Sequence, residues 1–97
     1  MANKMRPIHP GEILRDELKE LGLSANALAK ALDVPTNRIT AILKEQRSIT
    51  GDTALRLSKY FDTTPEFWMN LQTAYDVKRT MLESGSEINR TVKTRAA

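Results

Sequence analysis

Residues 24–44 read SANALAKALDVPTNRITAILK, two short runs of helical periodicity separated by Asp33-Val34-Pro35. Ser24 offers an N-cap hydroxyl, and Leu23 and Leu28 stand where a hydrophobic staple clamps the start of a helix. That helix runs through Leu32, is rich in alanine, and turns Leu28, Ala29 and Leu32 inward. Pro35 lacks the amide that a helix interior requires, and its fixed φ suits a first turn, so it closes one helix and opens the next. In the helix that follows, Ile39, Ile42 and Leu43 share one face; at about 100° per residue, Asn37, Thr40, Ala41 and Lys44 fall opposite them.

Two helices across a chemically specified turn form a helix-turn-helix, whose second helix enters the major groove of duplex DNA. Such a helix needs short side chains at its leading turn and hydrogen-bonding groups aimed at base edges. Asn37 can pair bidentately with adenine and Arg38 with guanine or a phosphate, while Thr36, Thr40 and Ala41 offer hydroxyls or a methyl to thymine. Thr36, Asn37, Arg38, Thr40, Ala41 and Lys44 are therefore the expected base-reading set. Lys30, Gln46, Arg47 and Ser48, with the amides near Ser24 and Asn26, are the expected phosphate contacts, which set register rather than sequence.

Outward from this stretch, Pro10 suits the first position of a preceding helix whose buried stripe is Ile13, Leu14, Leu18 and Leu21, and Gly22 ends it. After the polar loop Gln46-Arg47-Ser48, Thr50 caps a fourth helix with Asp52 near its start; Ala54, Leu57 and Phe61 dock it, flanked by Leu55 and Tyr60. Thr64-Pro65-Glu66 opens a fifth helix that runs to about Met81. Phe67, Trp68, Leu71, Tyr75 and Val77 give that helix more apolar surface than one neighbour covers. Phe67, Trp68, Leu71 and Tyr75 are accordingly the expected dimer interface. From Glu83 onward, ESGSEINRTVKTRAA has only Ile88 and Val92 to bury, which predicts a flexible tail. The chain thus divides into an N-terminal arm (1–8), a helical domain (9–82) and a tail (83–97).

At 97 residues with 40% hydrophobic and 5% aromatic content, the chain has room for one small domain built on Leu, Ile and Ala, and the fold expected is all-α. No cysteine and a single histidine exclude a disulfide framework and argue against a zinc site, so no metal and no cofactor is expected. MANKMRPIHPGE holds no apolar run of signal-peptide length, and no segment approaches a membrane span, which leads us to expect a cytoplasmic protein. The net charge of +3 is unevenly spread. Lys4 and Arg6 precede the first helix, and Lys30, Arg38, Lys44 and Arg47 outnumber Asp33 and Glu45 in the centre. The first helix instead carries Glu12, Asp16, Glu17 and Glu20 against Arg15 and Lys19. His9, lacking any partner for metal or acid–base chemistry, fits the start of a helix or a partner contact better than catalysis. No nucleophile–base constellation supports an enzyme.

Further motifs narrow this reading: His9-Pro10-Gly11-Glu12, Leu28-Ala29, Arg38-Ile39, Ser48-Ile49-Thr50, Thr64-Pro65-Glu66-Phe67-Trp68, Leu71-Gln72 and Tyr75-Asp76. In these the chain resembles the Xre/Cro-type, lambda-repressor-like helix-turn-helix family over residues 8 to 82, and more narrowly the HigA-type antitoxins. The resemblance implies a five-helix homodimer that binds an inverted repeat in its own operon promoter and neutralises a toxin, typically a RelE-like mRNA interferase. The sequence departs from the family at Glu45-Gln46, where a glycine usually opens the loop after the recognition helix. Asp16, Glu17 and Glu20 are the expected contacts for a basic toxin. A stand-alone regulator without a toxin, and an interaction module with no DNA role, are the rival readings.

Overall fold

The computed structural model describes residues 6–96 and contains, among them, five helices and no strand. They are α1 (Pro10–Leu21), α2 (Ala25–Leu32), α3 (Thr36–Leu43), α4 (Gly51–Phe61) and α5 (Pro65–Thr91). Lys4 of the N-terminal arm lies outside the described residues. Four helices begin on a side chain that accepts an orphan backbone N–H. Ser24 Oγ accepts from Ala27 at 3.0 Å, Thr50 from Thr53 at 3.4 Å, Thr64 from Phe67 at 3.1 Å, and His9 Nδ1 from Gly11 at 2.8 Å. Pro35 stands before α3 without a side-chain cap, in the extended conformation that ends a turn.

The ends of α1 to α4 share one device. Gly22, Asp33, Glu45 and Asp62 each take a left-handed φ between 56° and 64°. The next amide then reaches back over the helix end: Leu23 to Leu18, Val34 to Ala29, Gln46 to Ala41 and Thr63 to Ser58. These reversals fold the helices back on one core.

That core is Leu14 and Leu18 of α1, Leu28, Ala29 and Leu32 of α2, Ile39 and Ile42 of α3, then Ile49, Ala54, Leu57 and Trp68. Leu21 departs from the expected stripe: the helix ends directly after it, it stays 55% exposed, and Leu23 packs on the core in its stead. Leu55 and Tyr60 are largely exposed on the flank of α4.

Two expectations about α5 are corrected. Trp68 is 2% exposed in a single chain, its indole N–H held by Thr63 Oγ1 at 3.1 Å, so it belongs to the core of its own subunit rather than to a dimer face. The helix also runs ten residues past Met81, to Thr91, leaving only residues 92–96 of the expected tail outside helical structure. Low burial predicted a tail there, but helix needs only local backbone bonds. Pairs one turn apart, Arg79–Glu83 at 2.8 Å and Glu87–Arg90, support it in place of burial. The extension contributes to a long axis of 52 Å against 26 and 23 Å in the other directions.

Candidate nucleic-acid interface

The expected base-reading residues lie at the start and on the outer side of α3. Thr36 Oγ1 donates to Asn26 Oδ1 at 2.8 Å, which ties the leading turns of α2 and α3 together. Ser24, Asn26, Thr36 and Asn37 therefore lie at one end of the motif, with Asn37 exposed and, among the described residues, no hydrogen bond engaging its side chain. Thr40 is half-buried and its hydroxyl donates to the Asn37 carbonyl at 3.3 Å, and Ala41 is likewise half-buried. Lys44 is exposed at the far end of α3.

Arg38 is differently placed. Its side chain is three-quarters buried, and Nη1 donates to Asp52 Oδ2 at 2.6 Å. The same oxygen accepts from Arg56 Nε at 2.9 Å, and Arg56 Nη1 goes on to the carbonyls of Leu32 at 2.8 Å and Asp33 at 3.3 Å. Arg56 thus caps the C-terminus of α2, and the two guanidinium groups, Arg56 foremost, hold Asp52 below the usual carboxylate range.

The expected phosphate contacts fall in separate places. Gln46, Arg47 and Ser48 form an exposed loop beyond α3, at the opposite end from Ser24 and Asn26; Lys30 is exposed on α2. The loop is fixed from beneath by Gln72, which is 4% exposed. Its Oε1 accepts from the Ile49 amide at 2.7 Å, and its Nε2 donates to Ser48 Oγ at 3.3 Å and Asp76 Oδ1 at 3.0 Å. Glu45 takes a left-handed turn with φ at 63°, and Arg15 lies 3.7 Å from its carboxylate.

The same region explains His9-Pro10-Gly11-Glu12. His9 caps α1 through Nδ1, which puts the ring proton on Nε2; the ring is 3% exposed and meets Tyr75 edge to face at 4.8 Å. Burial pushes the His9 pKa down, against the opposing pull of Glu45 and Asp76. Pro10 takes the first helical position. Gly11 touches the end of α3: a Cβ on it would stand 1.9 Å from the Ile42 carbonyl oxygen. Glu12 is forked by Arg6 at 2.9 and 2.8 Å, which lowers its pKa. Arg15 then donates to the Leu43 carbonyl at 2.7 Å, capping α3. Gln72, Arg15, Asp52 and Arg56 were not among the expected site residues; each works across 14 to 28 residues of sequence, where no local pattern signals it.

Asp16, Glu17 and Glu20 are exposed on α1. Phe67 is 45% exposed, whereas Leu71 packs partly against the core and Tyr75 against His9. Among the described residues no cluster of acidic, histidine or cysteine side chains could hold a metal, and no helix is long and apolar enough to cross a membrane.

Residues 14–68 match the Helix-turn-helix family. The chain is 62% identical over 77 residues to virulence-associated protein I of Dichelobacter nodosus, covering 78% of this chain and 71% of that one. It superposes with a TM-score of 0.92 on an addiction module antidote protein of the HigA family from Coxiella burnetii, 62% identical, covering 94% of this chain and all of that one. A second structure, the Pseudomonas aeruginosa antitoxin HigA with the higBA promoter, is 47% identical with a TM-score of 0.90, covering 94% of this chain and all of that one. This is a family of DNA-binding regulators and antitoxins rather than of enzymes. A capped α1 seated by glycine on α3, and an α3 with a polar outer face, thus lie on a backbone that superposes on these structures, and the chain belongs to the helix-turn-helix family, among the HigA antitoxins.

Proposed function

We propose that this protein is a cytoplasmic antitoxin that binds an inverted repeat in its own promoter as a homodimer, represses that operon, and neutralises a RelE-like mRNA interferase. The observation that carries the DNA reading is Asn37, exposed on the leading turn of α3 with no hydrogen bond from the described residues engaging its amide. Thr36, Thr40, Ala41 and Lys44 flank it as further base contacts, and Arg38 joins them once it leaves Asp52. Ser24, Asn26 and Lys30 on one side, and Gln46, Arg47 and Ser48 on the other, serve as phosphate contacts. The HigA relative with its promoter supports the assignment.

Two-fold symmetry comes from α5. Val77, Met81, Gly85, Ile88 and Val92 recur every three or four residues along its projecting half, and the four with apolar side chains are 45% to 65% exposed. A groove along this stripe is lined by Val77, Thr80, Met81, Ile88 and Asn89. A second copy of the chain covers the stripe, with Phe67 at the margin, and Gly85 permits close approach of the two helices. The acidic face of α1, Asp16, Glu17 and Glu20, is assigned to the basic toxin, away from the DNA.

The test is binding of the full chain to a duplex carrying its own promoter across a salt series. Affinity falls steeply with salt as counterions are released, and Asn37→Ala weakens binding by about 5- to 150-fold. Flat salt dependence, or an Asn37→Ala variant that binds like the parent, rejects the DNA role and leaves an interaction module. Met81→Glu yields monomers in sedimentation. Co-expression with the adjacent gene reports on the toxin: rescue from lethality supports the antitoxin, a harmless neighbour the stand-alone regulator. Lysine at positions 16, 17 and 20 weakens toxin binding while sparing the operator.

A further inference from the structure

Arg38 is the single arginine of α3, and its guanidinium donates to Asp52. The same carboxylate oxygen is also held by Arg56, which is committed to the end of α2 through two carbonyls. Arg56 is therefore fixed and Arg38 is the partner able to leave. Asp52 itself is 54% exposed in the first turn of α4 while the Arg38 side chain is three-quarters buried, so solvent reaches the pair at the carboxylate, where an acceptor that matches the guanidinium fork competes for Arg38.

We propose that Asp52 is a specificity-determining residue that holds Arg38 in reserve and admits a base edge more readily than a phosphate. The inference rests on the duplex-DNA reading above. A phosphate drawn to Arg38 meets the negative charge of Asp52, which stays in place on Arg56, and like charges so close repel. A guanine edge presents O6 and N7, neutral acceptors that match the guanidinium fork without that repulsion, and a good bidentate contact discriminates about 5- to 150-fold against the wrong base. Asp52 thus disfavours the sequence-independent mode of binding while leaving the sequence-reading mode open. It acts through Arg38 as a positioning residue, and no contact of its own with DNA is required.

The experiment compares the full-length protein with Asp52→Asn, Asp52→Glu, Arg38→Ala and the Arg38→Ala/Asp52→Asn double variant, on a promoter duplex and a shuffled duplex, by fluorescence anisotropy across a salt series. Asp52→Asn binds the shuffled duplex about tenfold more tightly and the promoter within about threefold of the parent, and its salt slope on shuffled DNA steepens by about one as Arg38 neutralises one more phosphate. Asp52→Glu keeps the parent's discrimination, and adding Asp52→Asn to Arg38→Ala changes the ratio little. An unchanged ratio in Asp52→Asn, an equal loss on both duplexes, or the same change without Arg38 overturns the proposal and makes Asp52 a purely structural tie. A parent protein that does not prefer its promoter overturns the DNA reading itself, and this inference with it.

Discussion

Gly11 and Ile42 meet where the first helix touches the end of α3, so closely that a Cβ on Gly11 would lie 1.9 Å from the Ile42 carbonyl oxygen. That oxygen also accepts the Glu45 amide at 2.9 Å, and the neighbouring Leu43 carbonyl takes Arg15 at 2.7 Å. The obstacle is backbone, which cannot rotate away. Gly11→Ala therefore pushes α1 off α3 and is expected to cost at least about 1–3 kcal/mol in urea unfolding, the range for overpacking. Operator affinity should fall with it, because the tilt of α3 depends on this contact.

Glu45 holds a left-handed turn with φ at 63°, a conformation that costs a non-glycine residue about 1–2 kcal/mol. Glycine removes that cost but loses more entropy on folding, about 0.5–1 kcal/mol, as well as the Arg15 pair. Glu45→Gly should accordingly be slightly more stable than the parent or equal to it, and Glu45→Val clearly less stable, because a β-branched residue resists positive φ. Thermal melts that placed valine level with glycine would contradict the turn described.

Gln72 satisfies the buried Ile49 amide at 2.7 Å. Gln72→Leu keeps the volume and leaves that amide unpaired, at a cost of about 1–3 kcal/mol. Hydrogen exchange should show faster protection loss at Ile49 and through the loop at 46–48, which Gln72 holds by hydrogen bonds, than in α2.

His9 accepts the Gly11 amide through Nδ1, so the capping form is neutral, and burial depresses its pKa from the ordinary 6.5. A depressed folded pKa means the unfolded chain binds the proton first. The His9 contribution is complete above pH 6.5 and is lost as pH falls through the lower folded value. Stability should thus decline below about pH 6.5 in the parent, and that part of the decline should vanish in His9→Asn, which retains a capping oxygen but does not titrate. Parallel pH curves for the two proteins would show that His9 does not couple.

Sequence alone determined most of the local structure: where the helices start, where the first four stop, and the main apolar positions of α2 and α3. Caps such as Ser24, Thr50 and Thr64, the breaker Pro35, and the spacing of Leu28, Leu32, Ile39 and Ile42 act over one or two turns, and the structure follows them. The outward polar face of α3 was legible for the same reason. Only the tertiary structure decided what lay across the fold. It turned Leu21 outward, took Trp68 into the core, and showed Arg38 in the hands of Asp52 and Arg56 rather than projecting alone. It also carried α5 to Thr91, where backbone bonds and neighbouring ion pairs hold a helix whose apolar stripe finds no cover among the described residues. Capping and periodicity are set by residues a few positions apart; burial and charge pairing depend on which distant segments meet, and that geometry exists only once the helices have packed.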